Sequence, residues 1–300
     1  MAGARRSSQC PLCGAAGRPR FTTHGILILD CPSCQHRFAG WRPPAAHVET
    51  VYGDAYFRGG GAGYPDYLAD GTLLWRHGRR YGKLLARFHR PGRVLDVGAA
   101  AGFVLQGMTD AGWTGEGIEP NAGMAEFGRS RLGQRLHTGT LDTVELAEPF
   151  DAVSFVQVLA HFPDPLDAFR RADALTKPGG VWLIETWDCE SRTARLLGEA
   201  WHEYSPPSVL HWWSPGVLRR TLAKLGYRLR GTGKPQKWIG LRHAKSLLTH
   251  KYGTGLAGRV LKAIPDGLAL PYPSEDVFWA VYEKAVIGHS SLVIRRTAAA

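Results

Sequence analysis

The residues Val94-Leu95-Asp96-Val97-Gly98-Ala99-Ala100-Ala101-Gly102 carry the clearest chemistry in this chain. Apolar residues around a single Asp read as a buried parallel strand, and the Gly-xxx-Gly after it reads as a tight turn into a helix opening at Phe103. Glycines at 98 and 102 let the backbone approach a ligand closely, and the helix start aims unpaired N–H groups at it. A nicotinamide dinucleotide fits this turn poorly. Its pyrophosphate wants G-x-G-x-x-G, and Ala100 stands where the second glycine belongs. A nucleoside without phosphates needs less. Thr114 to Ile118 reads as the next strand and ends in Glu119, 23 residues beyond Asp96. A carboxylate at that edge is placed to accept both hydrogen bonds of a ribose diol.

Four of the five cysteines make a second constellation, Cys10-Pro-Leu-Cys13 and Cys31-Pro-Ser-Cys34, with 17 residues between the pairs. Each C-P-x-C turn points two sulfurs at one centre, and two such knuckles complete a tetrahedron around Zn²⁺. Four protein ligands leave no open position, so the expected zinc is structural. Gly25-Ile-Leu-Ile-Leu29 supplies a short strand between the knuckles, and His24 and His36 are not needed as ligands. Disulfides are the alternative, disfavoured in an intracellular protein.

Candidates for acid–base work fall on the loops after the fourth and fifth strands, which leave the sheet at the ligand edge. His161 follows strand four and titrates near neutrality, which suits a general base; capping the neighbouring turn is its other use. Trp201-His202-Glu203-Tyr204 and His211-Trp212-Trp213 follow strand five. His202, Tyr204 and His211 are therefore candidates beside a flat aromatic acceptor, with core packing as the alternative use of this bulk. Cys189 is a lone thiol nearby and reads as incidental.

The elements that must position these residues alternate between strand and helix. Further strands are expected at Arg135–Thr138, Ala152–Val158, Val181–Glu185, Tyr227–Gly231 and Val277–Lys284, with Lys177-Pro-Gly-Gly180 as a turn. Helices are expected at Leu73–His89, Phe103–Ala111, Asn121–Leu132, from Asp164-Pro165 to Leu175, and after Ser214-Pro215; the Asn, Asp and Ser supply N-caps. The fold class is α/β, a Rossmann-like seven-stranded sheet. Residues 1–44 form the zinc ribbon, closed by Pro43-Pro44. Residues 45–90 hold Tyr52, Tyr56, Phe57, Tyr64 and Tyr67 among glycines, and read as an aromatic lid or an ordinary linker before the helix. Residues 91–300 form the main domain, with 237–270 as an inserted helical piece.

Three hundred residues, 44% of them hydrophobic, suffice for one large domain and a small one. No apolar run approaches membrane length and no signal sequence opens the chain, so a soluble cytoplasmic protein with no membrane partner is expected. The net charge is +11, and from Tyr204 to Pro265 there is no Asp or Glu. Such a block suits an anionic or carrier-bound substrate, or nucleic acid; a solvated face balanced in space is the plain alternative.

The run Phe150-Asp-Ala-Val-Ser-Phe-Val-Gln-Val-Leu-Ala-His161-Phe-Pro-Asp-Pro165, with Lys177-Pro-Gly-Gly180, Asp96, Gly98, Gly102 and Glu119, resembles class I S-adenosylmethionine-dependent methyltransferases. The nearest subgroup is the small-molecule enzymes related to the ubiquinone-pathway O-methyltransferases that carry an N-terminal four-cysteine zinc ribbon, and the resemblance covers nearly the whole chain. It implies S-adenosylmethionine as cofactor, with its amino-acid end over the turn of Gly98, Ala99, Gly102 and Phe103. The ribose would lie on Glu119, the adenine near Pro120, Thr140 and Leu141, and the methionine moiety against Gln157. Where the family usually has Leu-Glu-His, this chain has Leu159-Ala160-His161 and lacks the glutamate. The implied reaction is in-line methyl transfer to a small molecule, in natural-product (antibiotic-type) biosynthesis. An intramolecular step such as cyclisation on the same fold is one alternative, and a zinc-ribbon docking module on a degenerate enzyme is another. Nucleic-acid methylation is disfavoured, because Val156-Gln157-Val158-Leu159 is not the Asn/Asp-Pro-Pro-aromatic motif of amino-methylating nucleic-acid enzymes.

Overall fold

The structure is a computed structural model and describes residues 5–59, 66–240, 245, 269–272 and 274–286. At the N-terminus lie β1 (Arg5–Arg6), β2 (Arg18–Thr23), β3 (Ile26–Asp30), β4 (Arg37–Ala39) and β5 (Trp41–Arg42), followed by α1 (His47–Val51), α2 (Asp54–Arg58) and α3 (Gly71–Leu85). The main domain then runs β6 (Arg93–Val97), α4 (Phe103–Thr109), β7 (Thr114–Glu119), α5 (Ala122–Leu132), β8 (Arg135–Thr138), β9 (Phe150–Val156), α6 (Pro165–Ala174) and β10 (Thr176–Trp187). It ends with α7 (Arg192–Leu197), β11 (His211–Trp212), α8 (Pro215–Lys224), β12 (Tyr227–Gly233), β13 (Lys237–Gly240), β14 (Ala269–Tyr272) and β15 (Val277–Lys284).

Seven strands pair in the order β12-β15-β10-β9-β6-β7-β8, and β15 is antiparallel to both of its neighbours. The chain winds outward from β6 to β8 on one side and continues at β9 and β10 on the other. The strand order therefore reverses between β6 and β9, and a doubly wound sheet binds its ligand at the carboxyl ends beside such a reversal. Alternation along the strands divides the core between the two faces. Leu95, Phe155, Trp182 and Phe278 pack with Phe169 of α6 and Leu218 of α8. Val94, Leu183 and Val281 pack on the other face with Tyr81 and Leu85 of α3 and Leu105 and Met108 of α4.

The expected caps are formed. Asn121, Asp164 and Ser214 accept from the N–H of Met124, Asp167 and Val217, each three residues on. Helix α3 begins and ends earlier than the periodicity predicts, because residues 86–89 turn away to reach β6. Strand four stops at Val156, where Gln157 takes a left-handed φ of 58°. Lys177-Pro-Gly-Gly180 is absorbed into β10, with the pairing to β9 shifting register across it. The piece expected to be helical over 237–270 instead has strand at both ends, with β13 antiparallel to β14; residues 241–244 and 246–268 lie outside the described residues. Among the described residues no helix is long and apolar enough to cross a membrane.

The ribbon is joined to the main domain by backbone pairing. Its sheet has the order β11-β4-β3-β2, so His211 and Trp212, far along the chain, supply its fourth strand. Ile26, Ile28 and Ala39 pack there against Trp201, Tyr204, Leu210 and Trp212.

Helices α3 and α4 approach closely because both carry glycine at the crossing. A Cβ on Gly78 would stand 2.0 Å from the carbonyl oxygen of Val104, and one on Gly107 would stand 2.2 Å from that of Trp75. Since neither helix backbone can give without disturbing the turn that α4 extends, Gly78→Ala should cost ~1–3 kcal/mol of stability, as overpacked cores do. Urea unfolding measures it, and a midpoint equal to wild type would show that the helices can move apart freely.

Candidate functional site

The turn between β6 and α4 is built from left-handed residues. Gly98 and Gly102 have φ of 73° and 83°, and Ala100, which has a Cβ to accommodate, has φ of 48°. Gly98 and Ala99 donate their N–H to the carbonyl of Ile118 on β7, at 2.9 and 3.0 Å. The strain at Ala100 is held by Glu119, whose Oε2 accepts the Ala100 N–H at 2.8 Å while Oε1 accepts that of Asn121 at 2.8 Å. One carboxylate therefore binds together the turns after β6 and β7. A carboxylate has about four lone-pair sites, so two acceptor positions remain for another donor.

Both acids of this edge are buried. Asp96 accepts from the Ser154 hydroxyl at 2.6 Å, and burial raises its carboxyl to about 7. Glu119 is likewise raised to about 7 by burial, against the two backbone donors that favour its charge, with Asp96 adding to the rise. Pro120 and Asn121 follow directly. Gly139 donates to the carbonyl of Glu119 at 2.9 Å, which brings Thr140 and Leu141 beside it.

The segment 45–59 forms two short helices seated on this edge. The Asn121 side chain donates to the Tyr52 carbonyl and to Asp54, both at 3.1 Å. Phe57 and Tyr67 pack on Ala100, Ala101, Phe103 and Met124. The Tyr52 hydroxyl reaches the Ser208 carbonyl at 2.8 Å, and its ring lies edge-on to His161, 5.5 Å between centroids. Tyr52 thus spans from the β7 turn to the loop after β9, a contact with no local signal in the sequence.

His161 stands at the cofactor edge in a short 3₁₀ turn, with Nδ1 bonded to the Ser208 carbonyl at 2.7 Å. Burial lowers its pKa, so the ring is neutral at pH 7. The other three candidates for catalysis lie elsewhere. His211 is in β11, with Nδ1 at 3.1 Å from Nε2 of His36 and Nε2 at 2.9 Å from the Phe162 carbonyl; burial lowers its pKa to about 4. Both of its nitrogens are engaged, which fits it to fixing the ribbon and not to exchanging protons with a substrate. The Tyr204 hydroxyl is held by Arg37 of the ribbon, and its ring packs on Phe21. His202 is exposed on the same seam, edge-on to Trp187 at 4.9 Å. The sequence places these three among substrate contacts; pairing with the ribbon draws His211 and Tyr204 into the seam, and His202 packs against Trp187 and Trp201 beside it.

Sequence reasoning passed over a buried polar group at the same edge. Glu185 of β10 is fully buried and accepts from Gln157 Nε2 at 2.7 Å, from His77 Nε2 at 2.8 Å and from the Tyr81 hydroxyl. An acid within the apolar run Val181-Trp-Leu-Ile-Glu185 was the available signal.

In the ribbon, the Sγ atoms of Cys10, Cys13, Cys31 and Cys34 all lie within 4.8 Å of one another, and all five cysteines of the chain are free thiols. The nearest pairs, at 3.4 and 3.5 Å, are close to the ~3.8 Å edge of a tetrahedron with Zn–S bonds of ~2.3 Å. Burial raises the Cys34 thiol to about 11, whereas at Cys31 the N–H groups of Cys34 and Ser33 outweigh burial and lower it to about 7. A divalent cation would relieve this crowding, and the donor set fits zinc.

Residues 74–231 match the family model described as a methyltransferase domain, more than half of the chain. A ubiquinone biosynthesis O-methyltransferase of Dechloromonas aromatica is 28% identical over 184 residues, 54% of this chain and 72% of that protein. The protein of the same name from Vibrio parahaemolyticus is 35% identical over 104 residues, 31% of this chain and 43% of that protein. The fold is similar to that of a Haloferax volcanii protein solved in complex with the Trm112 methyltransferase activator (TM-score 0.52, 16% identity, 74% of this chain and 93% of that one). It is also similar to that of the YcgJ protein of Bacillus subtilis (TM-score 0.50, 17% identity, 70% and 99%). With the doubly wound sheet, the strained turn and the acid at its second strand in place, the chain belongs to the family of S-adenosylmethionine-dependent methyltransferases.

Proposed function

We propose that this protein transfers a methyl group from S-adenosylmethionine to a small aromatic acceptor in a natural-product pathway, and that the ribbon holds one structural zinc. The observation that supports the cofactor assignment is Glu119, a buried carboxylate with two acceptor positions left at the carboxyl end of β7, one strand from the reversal of strand order. In this reading the ribose diol donates to Glu119, the amino-acid end lies over Gly98, Ala99, Gly102 and Phe103, and the adenine lies near Pro120, Thr140 and Leu141. Gln157, held by Glu185, faces the methionine moiety. The similarity to enzymes named as O-methyltransferases supports a hydroxyl as the acceptor group.

A sulfonium is already a good electrophile. The chain has to line up the acceptor with the methyl carbon, keep water out and take one proton. Phe57 and Tyr67 pack over the turn and exclude water from it. Incubating the protein with S-adenosylmethionine and a set of phenols tests the reaction, since transfer adds one CH₂ to the product and cyclisation adds nothing.

Glu119→Ala should weaken binding of S-adenosylhomocysteine by ~1.5–3 kcal/mol, the worth of a charge-assisted hydrogen bond. The diol needs the ionised carboxylate, and ionisation is lost as pH falls through about 7. Affinity by calorimetry should therefore fall between pH 8 and pH 6, by up to about tenfold per pH unit below the midpoint. A pH-independent dissociation constant would remove Glu119 from the ribose site. Metal analysis of the purified chain should find one zinc, and Cys10→Ser should lose it together with part of the thermal stability; a full complement in that variant would refute the four-thiolate site.

A further inference from the structure

Where α6 and α8 meet the ribbon they leave a cavity of about 250 Å³. Leu166 and Arg170 face it from α6, one turn apart, and Val217, Arg220, Thr221 and Lys224 face it from α8 at the spacing of a single helix face. The ribbon closes the remaining side with Leu12, Ser33 and Cys34. Val217 belongs to the main core, and Leu12, Leu166 and Leu225 pack against it, so the walls are aliphatic. A cavity of about 150 Å³ holds a benzene ring. The larger space here suits two fused rings.

Its charge is of one sign. Arg170, Arg220 and Lys224 line the cavity and no Asp or Glu does. Among the described residues neither Arg170 nor Lys224 has an acid partner. Arg220 spends only Nη2, on the Cys34 carbonyl at 3.1 Å and on Gln35 at 2.9 Å, which leaves Nε and Nη1 as donors. That bond goes to the knuckle backbone and not to a thiolate, for the Cys34 sulfur lies against that of Cys10 at 3.5 Å. Three cations gathered around one space repel each other, and the aliphatic walls between them focus their field into it. Arg220 and Lys224 belong to the stretch without acids, and Arg170 joins them from a distant part of the chain.

We propose that this cavity is a second ligand site, for an aromatic carboxylate, and that its occupant clamps the ribbon to the main domain. The carboxyl group lies among Arg170, Arg220 and Lys224, where a guanidinium fork matches its two oxygens. The rings cover Leu12, Leu166, Val217 and Leu225. None of Gly98, Gly102, Phe103, Glu119 and Gln157 lines the cavity, so the site is separate from the cofactor edge and does not depend on the methyl-transfer reading. Its walls come from the ribbon and from two helices of the main domain, and α8 begins just after β11, the strand that completes the ribbon sheet. A molecule that fits only the docked arrangement stabilises that arrangement by mass action.

The test uses the full chain with 1-naphthoate as the probe and calorimetry for its affinity. Wild type should bind 1-naphthoate at least about tenfold more tightly than 1-naphthol, which lacks the charge, and than inorganic phosphate, which lacks the apolar body. Added salt should weaken the binding, since the three cations are exposed on their outer side. The probe should also raise the temperature at which wild type unfolds. Arg170→Glu combined with Lys224→Glu, both at exposed positions, should weaken 1-naphthoate at least about tenfold and remove that rise. An arm that needs no variant is methyl NMR of wild type, in which the ring protons should show Overhauser contacts to Leu12 of the ribbon and to Leu166 of α6. Failure to bind 1-naphthoate, or binding no tighter than that of 1-naphthol or phosphate, overturns the site. Unchanged affinity in the double variant assigns these cations to the thiolates or to solvent and overturns it as well. Ring contacts to one side alone overturn the clamp.

Discussion

The Glu119 carboxylate is the interaction on which the ligand edge depends. It accepts from the N–H of Ala100 in the turn after β6 and from that of Asn121 in the turn after β7. Without it, Ala100 would have no compensation for a left-handed backbone that costs of order 1 kcal/mol or more for a residue with a Cβ. Asn121 in turn caps α5 and holds Tyr52 and Asp54 of the N-terminal helices. From one buried acid, order passes to two turns, a helix start and the segment seated above them. Its burial raises its pKa to about 7, which makes the same acid sensitive to pH in the neutral range.

The ribbon and the main domain meet through hydrogen bonds as well as apolar packing. Strand β11 completes the ribbon sheet, and Leu210 also donates to the Ala160 carbonyl, next to His161. Ser208 accepts through its carbonyl from both Tyr52 and His161. The stretch 208–212 is therefore shared by the ribbon, the N-terminal helices and the loop after β9. Arg220 donates to the Cys34 carbonyl and to Gln35, and Arg230 pairs with Glu283.

Much of the scaffold was legible from local pattern. The strand–turn–helix at 94–103, the caps at Asn121, Asp164 and Ser214, and the order of elements from β6 to β10 all follow from side-chain periodicity and from residues that bond their own backbone neighbours. Such signals lie within a few residues of one another. The helical expectation for 237–270 failed at its ends because strand pairing between Lys237–Gly240 and Ala269–Tyr272 joins segments far apart in the chain. His202, Tyr204 and His211 were read as substrate contacts because a His- and Trp-rich loop after strand five looks the same whether it faces a ligand or a ribbon.

By itself, the sequence determined that this chain folds as a doubly wound sheet with a glycine turn, an acid at the second strand and a four-cysteine knuckle pair. Each of those is a short motif whose spacing carries its geometry. Only the tertiary structure decided that Glu119 spends half of its acceptor capacity on backbone, that β11 belongs to the ribbon, and that His77, Tyr81 and Gln157 converge on Glu185. The physical reason is that a buried carboxylate must find donors wherever the packing supplies them. Here they come from residues 28 to 108 positions away along the chain.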